Sequence, residues 1–406
     1  ISAGPSTPES LVVSAPGKVI LFGEHAVVHG VTAIAAATAL RCFARVAPAD
    51  ASVSLDLADI ELHAAWALDE LPWSLVRGAR DAPRALDRAL VDALDALVAR
   101  THAGRRHAAC VAFLYLYMSI SGAPRAQAFQ VRSALPISAG LGSSAAVMAS
   151  LVTLLMYTHA RLPLPHGGLP REHALAINGW AFLAEKIMHG EPSGVDNTVA
   201  VLGGALAFTR AVPANALREN RLVPLRGFGA LRLLITDTRV ERDTKALVAG
   251  VLALKEREPE RVAAALDVIQ LVVDEAEELL AAPPPRDVLV ARLARLFALN
   301  HAQLVQLGVG HAALEHVRAE CAAAPLRLPT KLTGAGGGGC AITLVRDGVA
   351  EADVGALRTS LAARGFATYE TAVGGEGVGV RTDSAEALPA SAALGAWAAR
   401  GTWMYA

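Results

Sequence analysis

Apolar residues recur at three- and four-residue spacing, with charges between them, over Arg84–Arg100, Thr244–Glu256, Glu260–Ala281 and Asp287–Leu307. That period predicts amphipathic helices. Pro283-Pro284-Pro285 predicts a linker between the last two. Ala145–His159 and Glu172–Met188 predict two more helices, the second ending near Gly190. Short apolar runs predict strands at Leu11–Val13 and Val19–Phe22, on either side of a Pro-Gly turn. Further strands are predicted at Gln127–Ser133, Ala205–Thr209, Leu231–Thr236, Cys340–Val345 and Ala372–Val380, with a helix over Ala350–Arg364. Thr32–Arg45 is β-branched at its start and Ala-rich after it, and supports strand and helix equally. Leu162–Arg171 reads as a surface loop, and Val223–Gly229 as a basic Pro/Gly connector at a domain boundary.

A length of 406 residues predicts two domains rather than one core. The boundaries implied are 1–228 and 229–382, with 383–406 as a tail that could pack back on the amino-terminal domain. Net charge is −1, which disfavours nucleic-acid binding through bulk electrostatics. Four cysteines (Cys42, Cys110, Cys321, Cys340) lack C-x-x-C spacing, which argues against a zinc site and suits a reducing compartment. The longest apolar run, Ala108–Ile120, is shorter than the ~20 residues a bilayer needs. No signal-peptide pattern occupies Ile1–Ser10. The expectation is a cytoplasmic enzyme with no membrane and no nucleic-acid partner, peroxisomal association being left open.

The chemistry centres on Leu135-Pro136-Ile137-Ser138-Ala139-Gly140-Leu141-Gly142-Ser143-Ser144-Ala145-Ala146, a small-residue loop that runs into a helical pattern. Glycines let a backbone approach a ligand, and the N–H groups that open a helix bind anions. A tight turn before an ordinary helix is the plainer alternative. Two other segments bear on the choice: Ser14-Ala15-Pro16-Gly17-Lys18 through Gly23-Glu24-His25-Ala26-Val27-Val28-His29-Gly30, and Lys331-Leu332-Thr333-Gly334-Ala335-Gly336-Gly337-Gly338-Gly339-Cys340. No G-x-x-x-x-G-K-[ST], H-R-D or D-F-G set is present. Gly334, Gly336 and Gly339 satisfy G-x-G-x-x-G, but a strand pattern comes after them where a dinucleotide fold needs a helix.

In this order the three segments resemble the signature motifs of the GHMP kinases, from about Leu11 to about Gly379. Gly23–Gly30, His189-Gly190-Glu191-Pro192-Ser193-Gly194-Val195-Asp196-Asn197 and Leu247-Val248-Ala249-Gly250-Val251 are similar to the mevalonate kinase branch of animal type. The resemblance implies an α+β, two-domain GHMP kinase fold. Its amino domain would be like ribosomal protein S5 domain 2 and its carboxyl domain ferredoxin-like, with the site in the cleft between them. It implies ATP-dependent, Mg²⁺-assisted phosphorylation of the 5-hydroxyl of mevalonate, a homodimer, and feedback inhibition by farnesyl or geranyl diphosphate.

Residue by residue, the resemblance implies Asp196 as catalytic base, with Lys18 pairing it and stabilising developing charge. It implies ATP contacts from Lys18, Asp59, Ser133, Ser138, Ala139, Gly140, Leu141, Gly142, Ser143 and Ser144, and magnesium ligands in Ser144 and Glu185. Substrate contacts are implied for Lys18, Glu24, His25, Asp196 and Thr238. Gly334, Ala335, Gly336 and Gly337 form the third glycine-rich motif, packing against the phosphates or the first loop. From the residues alone, Glu185 also reads as a surface partner of Lys186, and Asp196 as a helix cap or Asx turn. Glu24 and His25 also read as a structural pair, His189 as a helix cap, and Gly334–Gly339 as a tight strand connection.

Ser138 stands where the family usually has glycine, a strained choice if that φ is positive. Asp59 stands where the animal enzymes tend to have Asn near the base; ionised Asp only accepts hydrogen bonds, as an adenine N6 amine requires. Another small-molecule GHMP kinase, such as phosphomevalonate kinase, and a non-catalytic metabolite sensor on the same scaffold are the alternatives.

Overall fold

The computed structural model describes residues 11–76, 85–136, 140–213, 217, 219–323, 325–382 and 387–406. The strands are β1 (Val12–Phe22), β2 (Thr32–Pro48), β3 (Ser52–Leu57), β4 (Leu62–Ala67), β5 (Gln127–Ser133), β6 (Ala205–Thr209), β7 (Arg221–Leu225), β8 (Leu231–Asp237), β9 (Thr330–Leu332), β10 (Cys340–Leu344), β11 (Ala367–Val373), β12 (Gly379–Arg381) and β13 (Met404–Tyr405). The α-helices are α1 (Arg88–Val98), α2 (Gly104–Ser121), α3 (Ser143–Thr158), α4 (Arg171–His189), α5 (Val195–Leu202), α6 (Thr244–Arg257), α7 (Pro259–Ala281), α8 (Arg286–Gln306), α9 (Ala312–Ala322), α10 (Glu351–Ala363) and α11 (Leu394–Ala398).

The chain groups into two units, each assembled from separated segments. One holds 1–17, 40–203 and 376–406; the other holds 18–39 and 204–375. In the first unit the start of β1 pairs antiparallel with β12, Val13 opposite Val380. The end of β2 pairs with β5, Cys42 opposite Ser133, and β3 joins β5 in parallel and β4 antiparallel. Helices α2, α3 and α4 are mutual neighbours, and α5 packs on α3 and α4. From Ala109 to Ser121 every residue of α2 is buried. A helix apolar all round belongs in a core, and each Leu or Phe buried there contributes about 1.5–3 kcal/mol.

In the second unit β8 is central, pairing antiparallel with β10 and β11. β9 extends the sheet beyond β10, and β11 meets Thr38 of β2 at Val373. The start of β2 pairs with β6, and β6 with β7. α8 has the length and apolar composition of a membrane span. Its apolar side (Leu289, Leu293, Leu296, Phe297, Leu304) is buried, and it contacts α7 and β9.

Three sequence expectations change and one open reading is settled. β1 is one unbroken strand through Pro16-Gly17, buried everywhere but Ile20. Gly17 serves a close approach rather than a turn, since a Cβ there would stand 2.7 Å from the Leu141 carbonyl oxygen and press on the Leu135 side chain. Thr32–Arg45 lies in a strand of 17 residues, because β6, β11 and β5 each pair with part of it. The Val223–Gly229 connector begins inside β7, whose pairing with β6 overrides its Pro224. Ala372–Val380 divides into β11 and β12, separated by Gly374 at φ 91°.

Candidate active site

In the first unit the phosphate-loop reading rests on the start of α3. Gly140 and Gly142 have φ of 78° and 69°, a region that L side chains avoid. Gly142 is the residue before α3, so the N–H groups of the first turn have no acceptor within the helix. Ser143 and Ser144 are the first two helical residues. Ser138 and Ala139 lie outside the described residues.

Ser144 meets α4 here. Its Oγ is 3.3 Å from His189 Nε2, and Glu185 Oε2 is 3.8 Å from the same nitrogen. Glu185 and His189 share a helix face by their i, i+4 spacing. The surface-pair reading of Glu185 fails, because Glu185 is 3% exposed. The Lys186 ammonium stands instead over the Phe182 ring, 4.9 Å from its centroid. A hydroxyl and a carboxylate that both reach the His189 imidazole are, by donor type, what a hard cation takes when it binds one or two protein oxygens and keeps water and phosphate ligands. Ser144 and Glu185 therefore fit magnesium. Among the described residues no group of three or more His, Cys, Asp or Glu side chains could form an all-protein metal cage.

Asp196 lies in the first turn of α5, behind Gly194 at φ 83°. Ser193 Oγ accepts the Val195 N–H at 3.3 Å. Sequence reading missed the device that fixes α5 on α4. The side-chain amides of Asn197 and Asn178 hydrogen-bond at 2.6 Å, and Asn178 Nδ2 donates to Thr198 Oγ1 at 3.2 Å. Asp59 and Ser133 are also brought together: Asp59 Oδ2 accepts the Ser133 N–H at 2.7 Å.

The second unit holds Lys18, Glu24, His25, Thr238 and the third glycine loop. Lys18 lies in β1 and is buried. Glu24 and Lys331 form an ion pair with both side chains fully buried. Asn300 Nδ2 donates to the other Glu24 oxygen at 2.9 Å, and Lys331 Nζ donates to the Leu332 carbonyl at 2.8 Å. The rings of Phe22 and Phe297 flank the ammonium, each 5.9 Å away. Burial pushes the Lys331 pKa down, against the pull of Glu24. Lys331 was missed as a site candidate. Its signal was a lone lysine between Thr330 and Leu332, since a lysine is almost never fully buried without a partner.

His25 comes next in the chain with φ of 57°, a strained value for a side chain of its size. Its Nε2 lies 2.6 Å from the Ala335 carbonyl oxygen. Thr238 is tied to the far end of the same loop, its Oγ1 and its N–H both donating to the Gly339 carbonyl at 2.8 Å. Behind the loop, His301 Nδ1 accepts the Leu332 N–H at 3.1 Å while Nε2 faces Glu315 at 2.7 Å. That pattern selects the Nε2–H tautomer.

Residues 107–204 match the model of the GHMP kinase amino-terminal domain. The chain is 40% identical to mouse mevalonate kinase over 406 residues, covering 95% of this chain and 99% of that one. It is 39% identical to a mevalonate kinase of Aspergillus fumigatus, covering 94% of this chain and 75% of that one. Among solved structures it is similar to mevalonate kinase of L. major in complex with R-mevalonate, with a TM-score of 0.67, 22% identity, and coverage of 93% and 100%. Likeness of that degree across nearly the full length of the mouse enzyme places this chain in the mevalonate kinase family of the GHMP kinases.

Proposed function

We propose that this protein transfers the γ-phosphoryl group of ATP directly to the 5-hydroxyl of mevalonate, giving 5-phosphomevalonate for isoprenoid and sterol synthesis. The carrying observation is the near-full-length likeness to mouse mevalonate kinase. The N-terminus of α3, opened by Gly142 and continued by Ser143 and Ser144, suits the phosphates of ATP. Ser144 and Glu185 hold magnesium, which when bound offsets the charge of the transferring group. Asp196, in the first turn of α5, orients the hydroxyl and accepts its proton. Lys18, by the family resemblance, supplies positive charge to the developing phosphate. Asp59 faces the adenine amine. A phosphoryl transition state with little nucleophile bonding needs only modest base strength, so orientation is the larger share of the Asp196 role.

The homodimer, the inhibition by farnesyl or geranyl diphosphate and the cytoplasmic location belong to this proposal through the family resemblance. Sedimentation, an inhibition series at varied ATP, and cell fractionation test them in turn.

The experiment for the reaction itself is ADP release with Mg²⁺ and ATP against mevalonate, phosphomevalonate, homoserine, galactose and no acceptor. Release that depends on mevalonate alone is the expected outcome. Turnover of phosphomevalonate instead would move the chain to the other kinase of the pathway.

A further inference from the structure

The Asp59 carboxylate is held from two sides within the first unit. Oδ2 accepts the Ser133 N–H, and Oδ1 accepts the hydroxyl of Ser391, each at 2.7 Å. Ser133 ends β5, and its own Oγ accepts the Leu135 N–H at 3.0 Å where the phosphate loop begins. Ser391 comes from a different part of the chain, in a short 3₁₀ turn (Ser391–Ala393) just before α11.

That turn rests on an anchored segment. Leu388, Leu394 and Trp397 pack with Val12 and Phe43 in one buried cluster. The Arg381 guanidinium covers Trp397 at 4.5 Å and Trp403 at 5.7 Å. β13 pairs with β12, and the Tyr405 carbonyl accepts the Leu169 N–H at 2.7 Å. Ser391 therefore presents its hydroxyl from a fixed position.

We infer that Ser391 is a positioning residue for recognition of the nucleotide base, acting through Asp59. The inference rests on the proposed placement of Asp59 at the adenine amine. An ionised carboxylate offers about four lone-pair directions on two oxygens. Ser133 and Ser391 take one on each oxygen and fix the carboxylate plane. The remaining directions accept from a 6-amino group and repel a carbonyl oxygen held at that same position. Half-buried, Asp59 keeps that edge accessible. Without the Ser391 hydroxyl only the Ser133 N–H holds the carboxylate, and its plane is no longer fixed from both sides.

The test is steady-state kinetics of the full chain with S391A, S391T and D59A, using ATP and GTP. For S391A, KM for ATP should rise roughly 3- to 10-fold, the size of one ordinary hydrogen bond, because Ser391 acts on the base only through Asp59. The preference for ATP over GTP should fall, while kcat and KM for mevalonate stay within about twofold. S391T should restore the original values. An S391A enzyme with unchanged KM for ATP and unchanged base preference overturns the inference. So does an even loss in kcat and both KM values together with a lower Tm. D59A separates the two levels. If it raises KM for ATP while S391A does not, Ser391 alone loses its role; if D59A also changes nothing, the placement of Asp59 at the base falls first.

Discussion

The glycine loop before α3 and the glycine loop before β10 both place glycines at positive φ, and they put that freedom to different uses. At Gly142 the positive φ turns the chain into a helix whose first N–H groups have no acceptor within the helix. Gly336, Gly337 and Gly338 are instead walled in by their own unit. A Cβ at Gly337 would stand 2.8 Å from Leu247 Cδ2, and one at Gly338 2.6 Å from Val240 Cγ1. One at Gly336 would collide with the Val309 carbonyl oxygen. That carbonyl already accepts the Gly337 N–H at 2.8 Å. The first loop opens a helix N-terminus, whereas the third is packed against its own unit. Runs of glycine therefore do not by themselves mark a phosphate cradle; the element next in the chain and the atoms packed around the run decide.

If this contrast holds, changes around α3 cost chemistry and changes around the third loop cost stability. The largest effect is expected at Asp196, where Asp196→Ala should lower kcat by ~10² to 10⁴ while calorimetry still shows ATP binding. Near-normal turnover would remove it from the mechanism. On the other side, Lys331→Met leaves the Glu24 charge buried without its cation, so unfolding in urea should register a loss of about 3–5 kcal/mol. A much smaller loss would mean that Glu24 finds other compensation.

His159 tests the far end of α3. Burial lowers its pKa to about 4, with Arg125 and Arg161 adding to the effect. The unfolded chain takes up a proton near the ordinary value of about 6.5. Stability should therefore be full above that pH and fall as pH drops towards about 4, by up to ~1.4 kcal/mol per pH unit. His159→Leu should flatten that dependence, read as Tm against pH, and leave KM for ATP unchanged. Gly336→Ala should cost about 2–4 kcal/mol, combining a left-handed backbone with an overpacked contact. A variant that keeps its Tm and loses ATP affinity would reverse the contrast between the loops. The smallest effect is expected for Ser144→Ala, a roughly tenfold rise in the magnesium needed for half-maximal rate, equivalent to about 1.4 kcal/mol. An unchanged titration would take Ser144 out of the metal shell.

The long periodic helices were legible because their pattern repeats over several turns; α7 and α8 differ from the expected spans by one residue at most ends. β2 was not, since alanine carries little side-chain signal and three separate partners define the strand. Short β3 and β4 escaped notice for a related reason. Their alternation is plain only once β5 is seen beside them. At the site, the convergence of Ser144, Glu185 and His189 arises from loop and helix spacing. Lys331 and Asn300 reach Glu24 from 307 and 276 residues away, and His301 joins Leu332 to Glu315 through its two ring nitrogens. No local pattern announces such contacts. The tail looked undiagnostic because its tryptophans stand among alanines. Their packing against Phe43, Val12 and the Arg381 guanidinium shows what they hold.

The discontinuity of the two units bears on how the chain is made. The first unit takes strands from 1–17 and from 376–406, with the whole of 204–375 synthesised in between. At ribosomal rates of ~5–20 residues per second, β1 waits on the order of twenty to seventy seconds for β12 and the Trp397 cluster. During that interval the edge of β1 that β12 will pair lacks its partner, an opening for wrong strand pairing. A nascent chain of this design therefore depends on slow elongation being matched by protection of that edge. Fusing the late segment ahead of β1 by circular permutation would shorten the wait.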